Sequence, residues 1–191
     1  MEKRTMKKFL LALILFIFVL GACQAPNQSP TQTFSPTPEE EESEAFELYL
    51  VINNQLKPAD LDRYELDELR LADVPLLVTE DFEYYNWEEH TFFLTEEAYA
   101  RLIVAFSGGI PMSGVPFLII SNGERIYAGA FWSPASSLSF DGVVILQPLD
   151  PAGSMMFIRL GYPTPDAFTG EDPRDDPRLK QAFENAGVLD N

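Results

Sequence analysis

Asn122-Gly123 stands between two apolar runs, residues 115–121 and 124–132. A two-residue type I′ turn needs positive φ at both central positions, and Asn-Gly meets that need. The pair therefore predicts an antiparallel hairpin, and with it a sheet. The first arm, Val-Pro-Phe-Leu-Ile-Ile-Ser, is apolar without alternation, as a strand buried on both faces is. Residues 46–53, 90–94, 142–147 and 155–160 read as further strands. Pro75 pushes Val74 away from helix, so 74–78 is extended. Thr79 predicts a capped helical turn over 79–85, and the acidic, leucine-spaced stretch 57–73 a turn or short helix with a strand-like piece near 66–71.

Two helices carry clear terminal signals. Thr95 caps the first, over 96–106, and Glu96 and Glu97 place negative charge at its positive end. Its expected inner stripe is Ala98, Leu102 and Ala105, with Tyr99, Ile103 and Phe106 adjoining, and Gly108-Gly109 ends it. In the second, Asp176 is the cap, Pro177 sits at the first position and Gly187 is the stop. Leu179, Ala182, Phe183 and Ala186 form its expected inner face. The sum is an α+β fold: a mixed or mostly antiparallel sheet with two or three helices packed on it.

The amino terminus carries an address. Lys3, Arg4, Lys7 and Lys8 precede an unbroken run of 12 apolar residues, 9–20. A spanning helix needs roughly 20, whereas a secretory h-region needs about this many. The run ends in Leu20-Gly21-Ala22-Cys23. That ending resembles the lipobox of bacterial lipoproteins. The resemblance implies cleavage before Cys23, a diacylglyceryl thioether on its sulfur, and acylation of the new amino terminus, commonly with palmitate. Two or more acyl chains hold stably to a bilayer. Residues 24–44 are rich in Pro and Glu with one large apolar residue, Phe34, and are expected to be a disordered stalk. The expected organisation is a signal peptide over 1–22, lipidated Cys23 and stalk over 23–44, and one domain over 45–191. The expected place is the extracytoplasmic face of the cell membrane or outer membrane.

Within the domain, residues 90–130 resemble the strand–helix–hairpin unit in the periplasmic head of SecD-type translocase subunits. The pieces YNWEEH, GVPFLII and AGAFWSPASS resemble a group of bacterial lipoproteins with no assigned activity.

Charge narrows the partners. The chain has 30 acids against 13 bases, a formal net charge of −17. That argues against nucleic acid, which needs a basic surface. Residues 60–97 hold 13 of the acids against Arg63 and Arg70 alone. A partner docking there is expected to be basic, or bridged by a cation. The expected partners are the membrane, through covalent lipid, and an envelope protein or exported chain.

Catalytic templates find little material. One cysteine and one histidine rule out a Cys/His zinc cluster. No cofactor is called for. The hydrolase alternative uses scattered carboxylates, or Ser113 with His90, the lone histidine. Glu88 and Glu89 beside Trp87 admit a sugar platform, though Trp87 reads equally as a core plug. The calcium alternative uses the acids of 166–176, which lack D-x-D-x-D-G spacing and read as well as turn and cap chemistry. Phe131, Trp132 and Ser133, at a strand end before a Ser-rich loop, are the candidate binding residues, though Trp132 reads equally as closing the bottom of the core. The favoured expectation is a binding or scaffolding module without catalysis.

Overall fold

The computed structural model describes residues 45–147 and 154–190. The predicted signal peptide, Cys23 and stalk lie outside the described residues.

Among the described residues, nine strands form one sheet: β1 (Phe46–Leu50), β2 (Leu77–Val78), β3 (Phe82–Asn86), β4 (Thr91–Leu94), β5 (Val115–Ser121), β6 (Glu124–Trp132), β7 (Phe140–Leu146), β8 (Met155–Tyr162) and β9 (Leu189–Asp190). Their order is β2-β1-β5-β6-β7-β8-β4-β3-β9. The β6–β7 and β3–β9 pairs are parallel and the others antiparallel. Helices α1 (Glu96–Ala105) and α2 (Pro177–Asn185) pack on it. This is the expected α+β fold with a mixed sheet.

The strand order dictates the sheet's shape. β2 and β3 stand seven places apart in it, yet only the 3-10 turn Thr79–Asp81 joins them in sequence. In a flat sheet, strands about 4.8 Å apart would separate them by roughly 34 Å. The joint spans at most about 14 Å. The sheet must therefore curl until its ends meet, and they do. The rings of Phe46 on β1 and Phe82 on β3 lie 5.1 Å apart, edge to face. Phe46 N donates to Thr79 Oγ1 at 2.7 Å. Asp81 accepts from Val78 N at 3.0 Å and from Arg101 of α1 at 2.6 Å.

The concave side holds the main core. Phe183 of α2 stacks on Tyr85 at 4.5 Å and reaches Phe46 at 5.1 Å and Phe82 at 5.4 Å. Phe106, just past α1, packs on Phe131 at 4.8 Å. The convex side is covered by a flap of two 3-10 turns, Pro58–Arg63 and Leu66–Glu68. Its Leu61 and Leu66 pack on a second cluster built on Leu118 and Ile120. β5 thus buries Phe117 and Ile119 inward and Leu118 and Ile120 outward, which explains its unbroken apolar run.

The hairpin forms as predicted, with φ of 52° at Asn122 and 76° at Gly123. Both helix caps hold: Thr95 accepts from Ala98 N and Asp176 from Arg178 N. Residues 79–85 differ from expectation. Only 79–81 turn, and β3 begins at Phe82, because its pairing with β4 and the Tyr85 N to Val188 O bond outweigh the local cap. Ala105 and Ala186 are exposed rather than inward, since the buried stripe of α1 runs through Ala98, Tyr99, Leu102 and Phe106 and that of α2 ends at Phe183.

Replacing Phe183 with alanine removes the ring that both ends of the sheet share. The expected loss is about 3–5 kcal/mol, read by denaturant unfolding.

Candidate functional site

The chain's lone histidine turns inward. In the β3–β4 turn, Asn86 Oδ1 accepts from Glu89 N at 2.8 Å, and His90 adopts a φ of 48°. Its ring is buried. Nδ1 lies 3.1 Å from the Tyr85 hydroxyl and Nε2 lies 3.6 Å from Asp175 Oδ1. Burial, seconded by the Arg174 cation, holds the imidazole pKa below its usual 6.5, while Asp172 and Asp175 oppose the shift. The Asp175 contact is therefore a neutral ring facing a carboxylate. Both ring nitrogens are engaged away from Ser113, so the Ser113–His90 pairing of the hydrolase alternative is not formed.

The acids near His90 are matched by their own arginines. Asp172 accepts from Arg174 Nε at 2.9 Å and Nη2 at 2.6 Å, and Arg174 Nη1 donates to Ile158 O at 2.7 Å. Asp176 repeats the pattern with Arg178, at 2.9 and 2.6 Å. These hydrogen bonds hold both carboxyls below the usual carboxylate range. The signal is the repeated Asp-Pro-Arg at 172–174 and 176–178, missed when the acids are counted without the bases beside them. Donor atoms of His90, Asp172 and Asp175 do lie within 4.8 Å of one another. A divalent ion there would have to displace the guanidinium that occupies both Asp172 oxygens, so the donor set fits its internal cation better than a metal.

The predicted binding residues stand inside. Phe131 and Trp132 are 1% and 2% exposed, and Ser133 is buried with them. Trp132 stacks on Phe140 at 5.2 Å and packs so closely on Gly114 that a Cβ there would lie 2.5 Å from its ring. The Ser-rich loop is pinned, since Tyr162 Oη donates to Pro134 O at 2.9 Å and to Ser136 O at 3.1 Å. Residues 131–133 are thus the core plug rather than an accessible platform: alternation sends Phe131 into the main core and Trp132 to the opposite face, against Gly114 and Phe140, and both faces are covered. Trp87 is half-buried, and Lys180 Nζ sits 5.8 Å over its ring, where a sugar would stack.

The open feature lies elsewhere, where the sheet splits. β6 pairs with β5 from Glu124 to Phe131, but with β7 only from Gly129 to Trp132. Beside the unpaired part of β6 is a cleft of about 540 Å³, within the usual range for ligand sites. The flap roofs it with Ala59, Leu61, Asp62 and Leu66. β6 and β7 wall it with Ile126, Ala128 and Phe140 among others, and Asp141 stands at its edge. Arg125 locks the flap down by donating from Nη1 to Leu66 O and, at 2.9 Å, to Leu69 O. Asp141 is spent on Thr169, accepting from its N at 2.9 Å and its Oγ1 at 2.7 Å. Asp62 makes no hydrogen bond or ion pair among the described residues. Sequence reasoning missed this site; its one legible trace was the concentration of acid in 60–97.

No protein family, curated protein or solved structure matches this chain.

The His90 cluster has a measurable consequence. A histidine whose folded pKa is lowered stabilises the fold fully above the unfolded value of 6.5, and that contribution is lost as pH falls through the folded value. Melting temperature should therefore drop between pH 8 and pH 5. His90→Asn tolerates the left-handed backbone and carries no titrating group, so it should flatten that slope.

Proposed function

We propose that the chain is a lipid-anchored extracytoplasmic protein whose 45–190 body binds a partner in the cleft at the sheet split and performs no chemistry. The observation that carries the binding part is the cleft itself. It is concave and apolar-walled, and it is edged by carboxylates of which Asp62 is uncommitted. A general acid–base pair needs two titratable groups converging on one substrate position. Asp141 is committed to Thr169, which leaves Asp62 as the one uncommitted carboxylate among the described cleft residues, and a single free acid suits recognition.

The anchoring part rests on the residues of the leader, a basic start, 12 apolar residues and Leu-Gly-Ala-Cys in register. Lipid on Cys23 would tether the body beside a membrane without a span. No described helix is long and apolar enough to cross one. The partner on this reading is an envelope protein or an exported chain.

Two measurements test the halves separately. Cys23→Ser should move the protein from the detergent phase to the aqueous phase on phase separation; retention in the detergent phase would refute the anchor. Ala59→Trp fills the cleft from the exposed flap. Partners cross-linked to the native protein in envelope fractions should be lost with this variant, and partners that survive it would place binding elsewhere.

A further inference from the structure

Three consecutive residues of β6, Ile126, Tyr127 and Ala128, line the cleft, although the Tyr127 side chain lies in the concave core and Ala128 packs with the convex cluster. The strand's main chain is therefore part of the cleft wall where β6 and β7 part. Both strands that wall the cleft carry a bulge there: Ile126 is the extra residue of β6 opposite Ile119 and Ile120, and β7 has an extra residue between Phe140 and Val143 in its pairing with β8. Bulges bend strands and increase twist, so they turn β6 and β7 away from each other at this level.

The split leaves a row of main-chain groups. Along an antiparallel strand paired on one side, alternate residues point their N–H and C=O to the other side. Residues 124–128 of β6 pair with β5 and precede the β7 ladder, which starts at Gly129. Of these, Ile126, Tyr127 and Ala128 line the cleft, with Ile126 the extra residue of a bulge, so the edge offered to the cleft covers roughly 7 Å of strand. Natural sheets pair, cover or charge such an edge. Here the flap covers it from the convex side, held by the Arg125 side chain and by Leu61 and Leu66.

Charge selects what enters. Among the described residues, Asp62 and Asp141 are the acids that line the cleft, Tyr127 lines it with them, and no Lys or Arg does. The nearest arginine, Arg125, is spent on the flap carbonyls. Around it the flap carries Asp60, Glu65, Asp67 and Glu68, with Arg63 already on Asp60 at 2.8 Å.

We infer that the cleft takes an extended peptide segment bearing Lys or Arg, which adds as a strand to the open edge of β6 and places a basic side chain beside Asp62. Main-chain bonds to the edge supply affinity without sequence, and the acid supplies selection, as in other strand-addition sites. The proposal rests on the cleft being the binding site, and it adds the chemical class of the occupant.

The test is calorimetric titration of the mature chain carrying Cys23→Ser with a short blocked peptide of alternating valine and lysine. Saturable binding is expected, weakening as salt rises. Methylating the amide nitrogens along one edge of the peptide should weaken binding about tenfold or more, since each main-chain bond is worth about 1 kcal/mol; methylation along the other edge should leave it unchanged. Asp62→Lys, at an exposed flap position, should weaken it by about tenfold with an unaltered melting temperature. The inference is overturned if the peptide fails to bind, if methylation of either edge has the same effect, or if a polyamine binds as tightly as the peptide. If the peptide fails while Ala59→Trp still releases native partners, the cleft remains the binding site and the peptide class alone is wrong.

Discussion

The meeting of Phe46, Phe82 and Phe183 closes this fold, and the rest of the structure depends on it. The turn at 79–81 sends the chain from one end of the strand order to the other. Such a connection exists only in a sheet that has curled through its full width. The three rings, with Thr79 and Asp81 beneath them, hold that curvature by apolar burial and a few main-chain bonds. Helix α2 is the element that delivers Phe183, and Asp176, Pro177 and Arg178 start it in the right place.

Curvature has to be accommodated along the sheet. Antiparallel pairs with continuous apolar arms, such as β5–β6, absorb it by a bulge. The parallel pair β6–β7 absorbs it by parting, and keeps its ladder only from Gly129 onward. The closest contacts support that limit. A Cβ on Gly129 would meet Phe117 at 2.5 Å and Val143 O at 2.6 Å, so the two strands are drawn tight where the ladder begins. Closure at one end of the sheet and a split in its middle are then two results of one geometry. The acidic flap lies over the split and lines the cleft there.

Much of the fold was legible because its signals are local. Asn122-Gly123 announces its turn, Thr95 and Asp176 announce their helices, and the unbroken run of β5 announces burial on both faces. What failed was decided at a distance. Thr79 looks like the cap of a helix, but β4 and the chain at Val188 claim Phe82–Asn86 as a strand. The two residues of β9 have no local pattern and exist only because β3 offers an edge. Trp132 read locally as either a binding residue or a core plug, and its place is settled at a distance by Gly114 and Phe140. The site was the least legible part. An opening made by two strands parting leaves no motif, and only the clustering of acid on 60–97 pointed toward it.

Amide hydrogen exchange across β6 tests the central claim, that the sheet is open at the split and that the open edge is the binding surface. The amides of 126–128 that point away from β5 should exchange far faster than those of 129–132 in the free protein, and should become protected when the valine–lysine peptide is added. Uniform protection along the whole of β6 in the free protein, or no change on adding peptide, would contradict the account.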